Sequence, residues 1–226
     1  MVGLGAVLAL AGSASDLEAQ TANAGEVRQV EGDLSDWPQR SSLIFDLSIG
    51  LLTPLGNLTA DQQASDVTEI TPGLRLSTGV VLAGSATLFL NPKLGLAIHG
   101  SWAGAEVDQK ALPDGGSGDQ RLGDADYVTA TVNVVYRLLE RPIGALDPYI
   151  SAGAGVRHIS FSFEDPQIED ATDPMVTLAA GMRAFLLGRI HWTLDVRDAI
   201  SMFEATDGES RLQNDLLVTV GFGARL

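Results

Sequence analysis

Three sets of residues in this 226-residue chain have types and spacings that could do chemistry. The first is His158-Ile159-Ser160 with Glu164 close by. An imidazole beside a hydroxyl, with a carboxylate to orient the ring, is the arrangement that activates serine against an acyl ester. The second is the acidic group Glu164, Asp165, Glu169 and Asp170, whose hard oxygens suit Ca²⁺, although no EF-hand spacing accompanies them. The third is a scatter of isolated polar residues in otherwise small or apolar surroundings: Asp46, His99, Arg157, Arg183, His191, Asp195, Arg197 and Arg225. If these converge inside the protein they either relay protons or small ions, or satisfy one another as ion pairs. Asp195 with Arg183 or Arg197 is the expected pair.

Composition removes several function classes. With 14 basic against 29 acidic side chains, a net charge of −15 opposes the phosphate neutralisation that nucleic-acid binding requires. Zero cysteine removes disulfides, thiolate zinc sites and cysteine nucleophiles together. Yet 45% of the residues are hydrophobic and mean hydropathy is +0.15, high for so acidic a chain. No long apolar run offers a membrane helix, so the hydropathy needs another outlet.

Residues 1–20 carry an apolar run from Val2 to Ala11 and then small residues, the layout of a secretory signal peptide, with cleavage expected after Ala14 or Ala19. Residues 21–41 are polar and aperiodic and read as an N-terminal arm. From residue 42 onward the period is 2. Leu43, Phe45, Leu47, Ile49 and Leu51 alternate with Ile44, Asp46, Ser48 and Gly50. The same alternation recurs around Val80–Leu90, Leu94–Ser101, Val128–Leu138, Ile150–Arg157, Val176–Leu186, Ile190–Arg197 and Leu216–Leu226. In each, one face is bulky and apolar, while the other carries Gly, Ala, Ser, Thr and the isolated charges.

That second face decides the architecture. A soluble sandwich turns Lys, Glu or Thr outward from its strands. Here a small polar face suits a cramped interior and the apolar face suits lipid. Closure into a ring then satisfies every backbone hydrogen bond in hydrocarbon. The expected fold is all-β, an eight-stranded antiparallel up-and-down transmembrane β-barrel over residues 42–226. Its connections alternate: short near residues 91–93, 140–147 and 188–189, longer and polar near 53–72, 108–124, 164–173 and 204–210. The long set holds most of the acids, so the net charge belongs largely to one rim. Trp102, Tyr136 and Trp192 fall on the lipid-facing side, where interfacial aromatics anchor.

Three stretches carry a family resemblance. Asp147-Pro148-Tyr149-Ile150-Ser151-Ala152-Gly153-Ala154-Gly155-Val156 resembles the opening of a strand in the small eight-stranded outer-membrane barrels, the group of the OmpA transmembrane domain and OmpX. Leu88 to Leu96, through Asn91-Pro92-Lys93, resembles that group's second hairpin, and Val218 to Leu226 its terminal assembly signal, here ending in Leu rather than Phe. The resemblance implies export to the bacterial outer membrane, lipid and lipopolysaccharide as surroundings, and the barrel-assembly machinery as a partner of the last strand. It also implies a monomer without cofactor and a non-enzymatic structural or surface-interaction role. Two alternatives stand beside that role. An eight-stranded lumen is just wide enough to be filled by side chains, so any conduit would be narrow and take small or apolar solutes. His158 and Ser160 share the outward face by parity, and outer-membrane lipid A deacylases use a His-x-Ser pair on a barrel exterior. That makes a lipid A acyl hydrolase the second alternative.

Overall fold

The computed structural model describes residues 42–55, 62–63, 70–71, 74–109, 120–139, 145–163, 169–187, 189–204 and 210–226. The expected signal peptide at 1–20 and arm at 21–41, and the candidate ligands Glu164 and Asp165, lie outside the described residues. Eight long strands follow in order: β1 (Ser42–Pro54), β2 (Gly79–Phe89), β3 (Leu94–Gln109), β4 (Gln120–Arg137), β5 (Leu146–Phe161), β6 (Ala171–Leu187), β7 (Ile190–Glu204) and β8 (Ser210–Arg225). Each pairs antiparallel with its sequence neighbours, and β1 pairs with β8, so the sheet closes. A short segment, Leu74–Leu76, extends the β2 side against the far end of β3.

The closure geometry can be read from the register. Starting at Leu52, the pairs run Leu217, Arg197, Ala179, Ser151, Val135, Gly95, Phe89 and back to β1 at Ser42. One circuit therefore descends from residue 52 to residue 42, a stagger of ten residues. For eight strands that stagger tilts each strand by about 40° from the barrel axis, which is the tilt typical of membrane barrels.

Side-chain alternation follows the pleat. Leu47, Ile49, Ile98, Val132, Leu178, Leu194 and Val220 face outward and are exposed, while Asp46, Arg157, Arg183 and His191 face inward and are buried or half-buried. The apolar residues are outside because the medium there is lipid. At the short-turn end the outward Trp192 and Phe222 rings lie 3.7 Å apart, and at the opposite end Trp102 Nε1 donates to Asp126 Oδ1 at 3.1 Å. Both are aromatics placed where apolar surface gives way to polar.

Local chemistry fixes the turns. Asn91 Oδ1 accepts from the backbone N–H of Lys93 (2.9 Å) and of Leu94 (2.8 Å), closing the β2–β3 hairpin as an Asx turn. The long-loop end departs from expectation. β3 reaches Gln109, β4 begins at Gln120 and β6 begins at Ala171, so Asp108, Asp124 and Asp173 sit on strands rather than in loops. Asp147 likewise belongs to β5 and not to the preceding turn. Polar residues at strand ends lack the apolar partner that marks alternation, but backbone pairing continues past the membrane edge all the same.

A charged lumen as candidate functional site

The interior is a stack of layers. At the short-turn end Ile44, Phe89, Ala97, Val135 and Tyr149 form a buried apolar cluster. Into it projects Arg137, whose guanidinium carbon stands 3.5 Å over the Phe89 ring and whose Nε lies 3.0 Å from Asp147 Oδ2. Beside this pair, Asp46 gathers three donors: Arg183 Nη2 at 3.1 Å, His191 Nε2 at 2.6 Å and Ser85 Oγ at 3.2 Å. Arg183 also lies 4.4 Å over the Tyr149 ring. Arg183 is therefore neutralised by β1, across the barrel, and not by Asp195.

Asp195 has other partners. Tyr149 Oη donates to its Oδ2 at 2.8 Å, and Arg197 Nε lies 3.4 Å from its Oδ1. Arg197 Nη1 continues to Asn133 Oδ1 at 3.3 Å, which Thr177 Oγ1 also donates to, at 2.8 Å. His99 lines the small space beside this group, a cavity of about 30 Å³. A volume of that size holds roughly one water.

The long-loop half holds a second charged group that sequence reasoning did not assemble. Arg157, fully buried, donates from Nη2 to Asp173 Oδ2 at 2.6 Å and from Nη1 to Asp215 Oδ2 at 3.2 Å. Tyr127 Oη donates to Asp215 at 3.1 Å and Gln213 Nε2 at 3.2 Å. Two carboxylates against one guanidinium would be unfavourable alone, and the neutral donors share the excess charge. Around and beyond them the lumen turns apolar: Leu52, Leu74, Val81, Val107, Ile159 and Leu217 are buried together. Among the described residues the interior is thus not uniformly small and polar, as the strand pattern predicts, but carries buried apolar clusters toward both ends.

The remaining candidates stand apart from this network. Arg225 is half-buried at the short-turn mouth, 5.9 Å over the Phe185 ring. His158 and Ser160 lie on the outward side near the long-loop rim, where His158 Nδ1 is 2.9 Å from Thr172 Oγ1 on β6. The hydrogen bond of the ring thus goes to a threonine rather than to the serine two residues on. Glu169 and Asp170 are exposed; Asp170 Oδ1 accepts from the Phe161 N–H at 2.9 Å, a strand-end cap rather than a ligand vacancy. Among the described residues no group of three or more His, Cys, Asp or Glu is placed to hold a metal ion. On the long-loop rim Arg121 lies 2.8 Å from Glu106, and its hydrogen bond to Asp124 with the surrounding acids holds its guanidinium above the usual arginine range.

No protein-family model matches this chain, and no curated protein matches it by sequence. The similarity lies in the fold. The outer membrane protein OprG of Pseudomonas aeruginosa superposes with a TM-score of 0.57 at 16% identity, covering 82% of this chain and 96% of that one. The outer membrane protein AlkL, solved in lipid bilayers, superposes with a TM-score of 0.51 at 16% identity, covering 90% and 96%. Closed pairing, a ten-residue stagger, an apolar exterior and a charged interior together define a small eight-stranded transmembrane barrel of the bacterial outer-membrane class.

Proposed function

We propose that the protein is a non-enzymatic integral barrel of the outer membrane, which displays its acidic long-loop rim to the outside and does not conduct hydrophilic solutes. The observation that carries this reading is the filled lumen: buried ion pairs at Arg137–Asp147, Arg183–Asp46 and Arg157–Asp215 occupy successive levels. Each of these arginines has a carboxylate partner within the barrel, and the extra carboxylate at Arg157 is held by Tyr127 and Gln213, so these side chains are engaged with one another across the passage. The rim is different, since Glu106, Asp124, Asp126, Glu169 and Asp170 are exposed there, with Arg121 paired to Glu106 and Asp124 among them. Such a surface suits a cationic partner, or lipopolysaccharide phosphates bridged by divalent cations.

The displayed orientation has a direct test, because the chain has no cysteine to interfere. Single cysteines placed at Glu169 and at Asn91 report opposite ends of the barrel. A membrane-impermeant maleimide applied to intact cells is expected to label E169C and to spare N91C until the envelope is opened. The reverse pattern would place the acidic rim in the periplasm and end the surface reading.

One observation favours a second reading, a conduit for apolar solutes. The long-loop half of the lumen is lined by Leu52, Val81, Val107, Ile159 and Leu217, a surface that would receive an apolar molecule. Passage beyond it requires Arg157 to leave Asp173 and Asp215, a step whose cost favours the closed reading.

A further inference from the structure

The outward row of β7 reads Trp192, Leu194, Val196, Asp198, Ile200 and Met202. One carboxylate thus interrupts an apolar stripe facing lipid. Rising at the strand tilt, Asp198 stands about 15 Å above Trp192 and about 10 Å below Met202 along the barrel axis. That is the outer half of the apolar band, where an ionised group without a donor is expensive. Its register neighbours are Leu178 on β6 and Leu216 on β8, neither of which can donate a side-chain hydrogen bond. Asp198 Oδ1 is buried and has no hydrogen-bond partner within the protein.

Asp198 also belongs to a depression in the outer wall. A lipid-facing furrow of about 500 Å³ runs diagonally from Tyr136 and Ile150 over Ala152 and Ala180, between Leu178 and Val196, and ends at Asp198 and Leu216. The two alanines lower its floor between bulkier walls. Its sides are aliphatic and its upper end is an acceptor.

We infer that this furrow holds one acyl chain of an outer-leaflet lipid that carries a hydroxyl or amide N–H near its head end, and that Asp198 accepts the hydrogen bond from that group. The chemistry matches the amide-linked 3-hydroxyacyl chains of glucosamine-based lipids, whose donors lie just beneath the sugar. The aliphatic tail occupies the furrow below. A second copy of the chain fits less well, because a two-fold contact over this face would bring two Asp198 carboxylates together in hydrocarbon. The inference rests on the proposed placement of the barrel with its long-loop rim outward and is independent of whether the lumen conducts.

The test uses the full chain folded in detergent micelles, mixed with lipid A and analysed by native mass spectrometry. Retention by wild type is compared with Asp198→Leu and Asp198→Asn, and with a glycolipid of matched chain length lacking the hydroxyl and amide. Wild type is expected to retain lipid A about tenfold better than Asp198→Leu, the ratio that follows from losing one hydrogen bond to an ionised group. Asp198→Asn keeps an acceptor oxygen and is expected to fall between them. The matched glycolipid should show no dependence on residue 198. Equal retention of lipid A by all three proteins, or a wild-type dimer that Asp198→Leu abolishes, would overturn the inference. If Asp198→Leu does not fold, the contrast between the two lipids on wild type and Asp198→Asn decides the same question.

Discussion

Replacing Arg157 with leucine is expected to lower the stability of the folded barrel by about 3–5 kcal/mol, the loss typical of breaking a buried ion pair from one side. Arg157 and Asp215 are both fully inaccessible, and Asp173 is nearly so. Without the guanidinium, Asp215 keeps Tyr127 and Gln213 as neutral donors, but Asp173 loses its 2.6 Å charge-assisted bond. Two carboxylates then share a dry space with no cation. The measurement is urea unfolding in micelles, read by the loss of the compact, heat-modifiable form on a gel. Arg157→Leu combined with Asp173→Leu and Asp215→Leu is expected to recover much of the loss, because an apolar set restores neutrality without desolvating charges. A single Arg157→Leu variant as stable as wild type would mean that the triad is solvated, and the lumen open there.

The second large effect concerns backbone approach. Gly155 faces the lumen on β5, and a Cβ there would stand against the Ala130 carbonyl oxygen and 2.7 Å from Thr131 Cα. Both obstacles are backbone of β4, which cannot withdraw without breaking the β4–β5 ladder. Gly155→Val is therefore expected to destabilise the barrel by about 3 kcal/mol, the upper end for overpacking, and to leave most of the chain unfolded in an in vitro folding assay. Gly84 is the control, since on the outward face a Cβ there meets nothing nearer than the Asp46 carbonyl oxygen at 3.7 Å. Gly84→Ala is expected to fold like wild type. Equal yields from Gly155→Val and Gly84→Ala would contradict the tight interior.

These two sites show how much of the molecule was legible in the sequence. The barrel was readable because lipid imposes a strict rule on every outward residue, and that rule recurs at period 2 over eight segments. Parity alone put Asp46, His99, Arg183, His191 and Arg197 on the lumen side, where the structure also has them. Pairing was another matter. Arg183 meets Asp46 137 positions away because of the ten-residue stagger, and no local pattern encodes a stagger. Asp147, Asp173 and Asp215 were hidden for a different reason. They stand where strands emerge from the apolar band, and there an acid looks the same in a strand as in a loop. Asp198 carries no signal by alternation, because it is itself the break in the apolar row of β7, where an acid looks like the end of the strand. The apolar clusters had no sequence signal of their own, since Phe89 or Leu52 inside a barrel looks like any other strand residue.

The central claim is that the lumen is closed by its own side chains. Its most direct test is the ionic current through single copies of the folded chain in a planar lipid bilayer. Buried ion pairs at three levels and a space of only about 30 Å³ beside the Asp195 group predict insertion without a steady conductance step. Reproducible, long-lived open steps from the wild-type chain would contradict that prediction and make the ion pairs a gate rather than a plug.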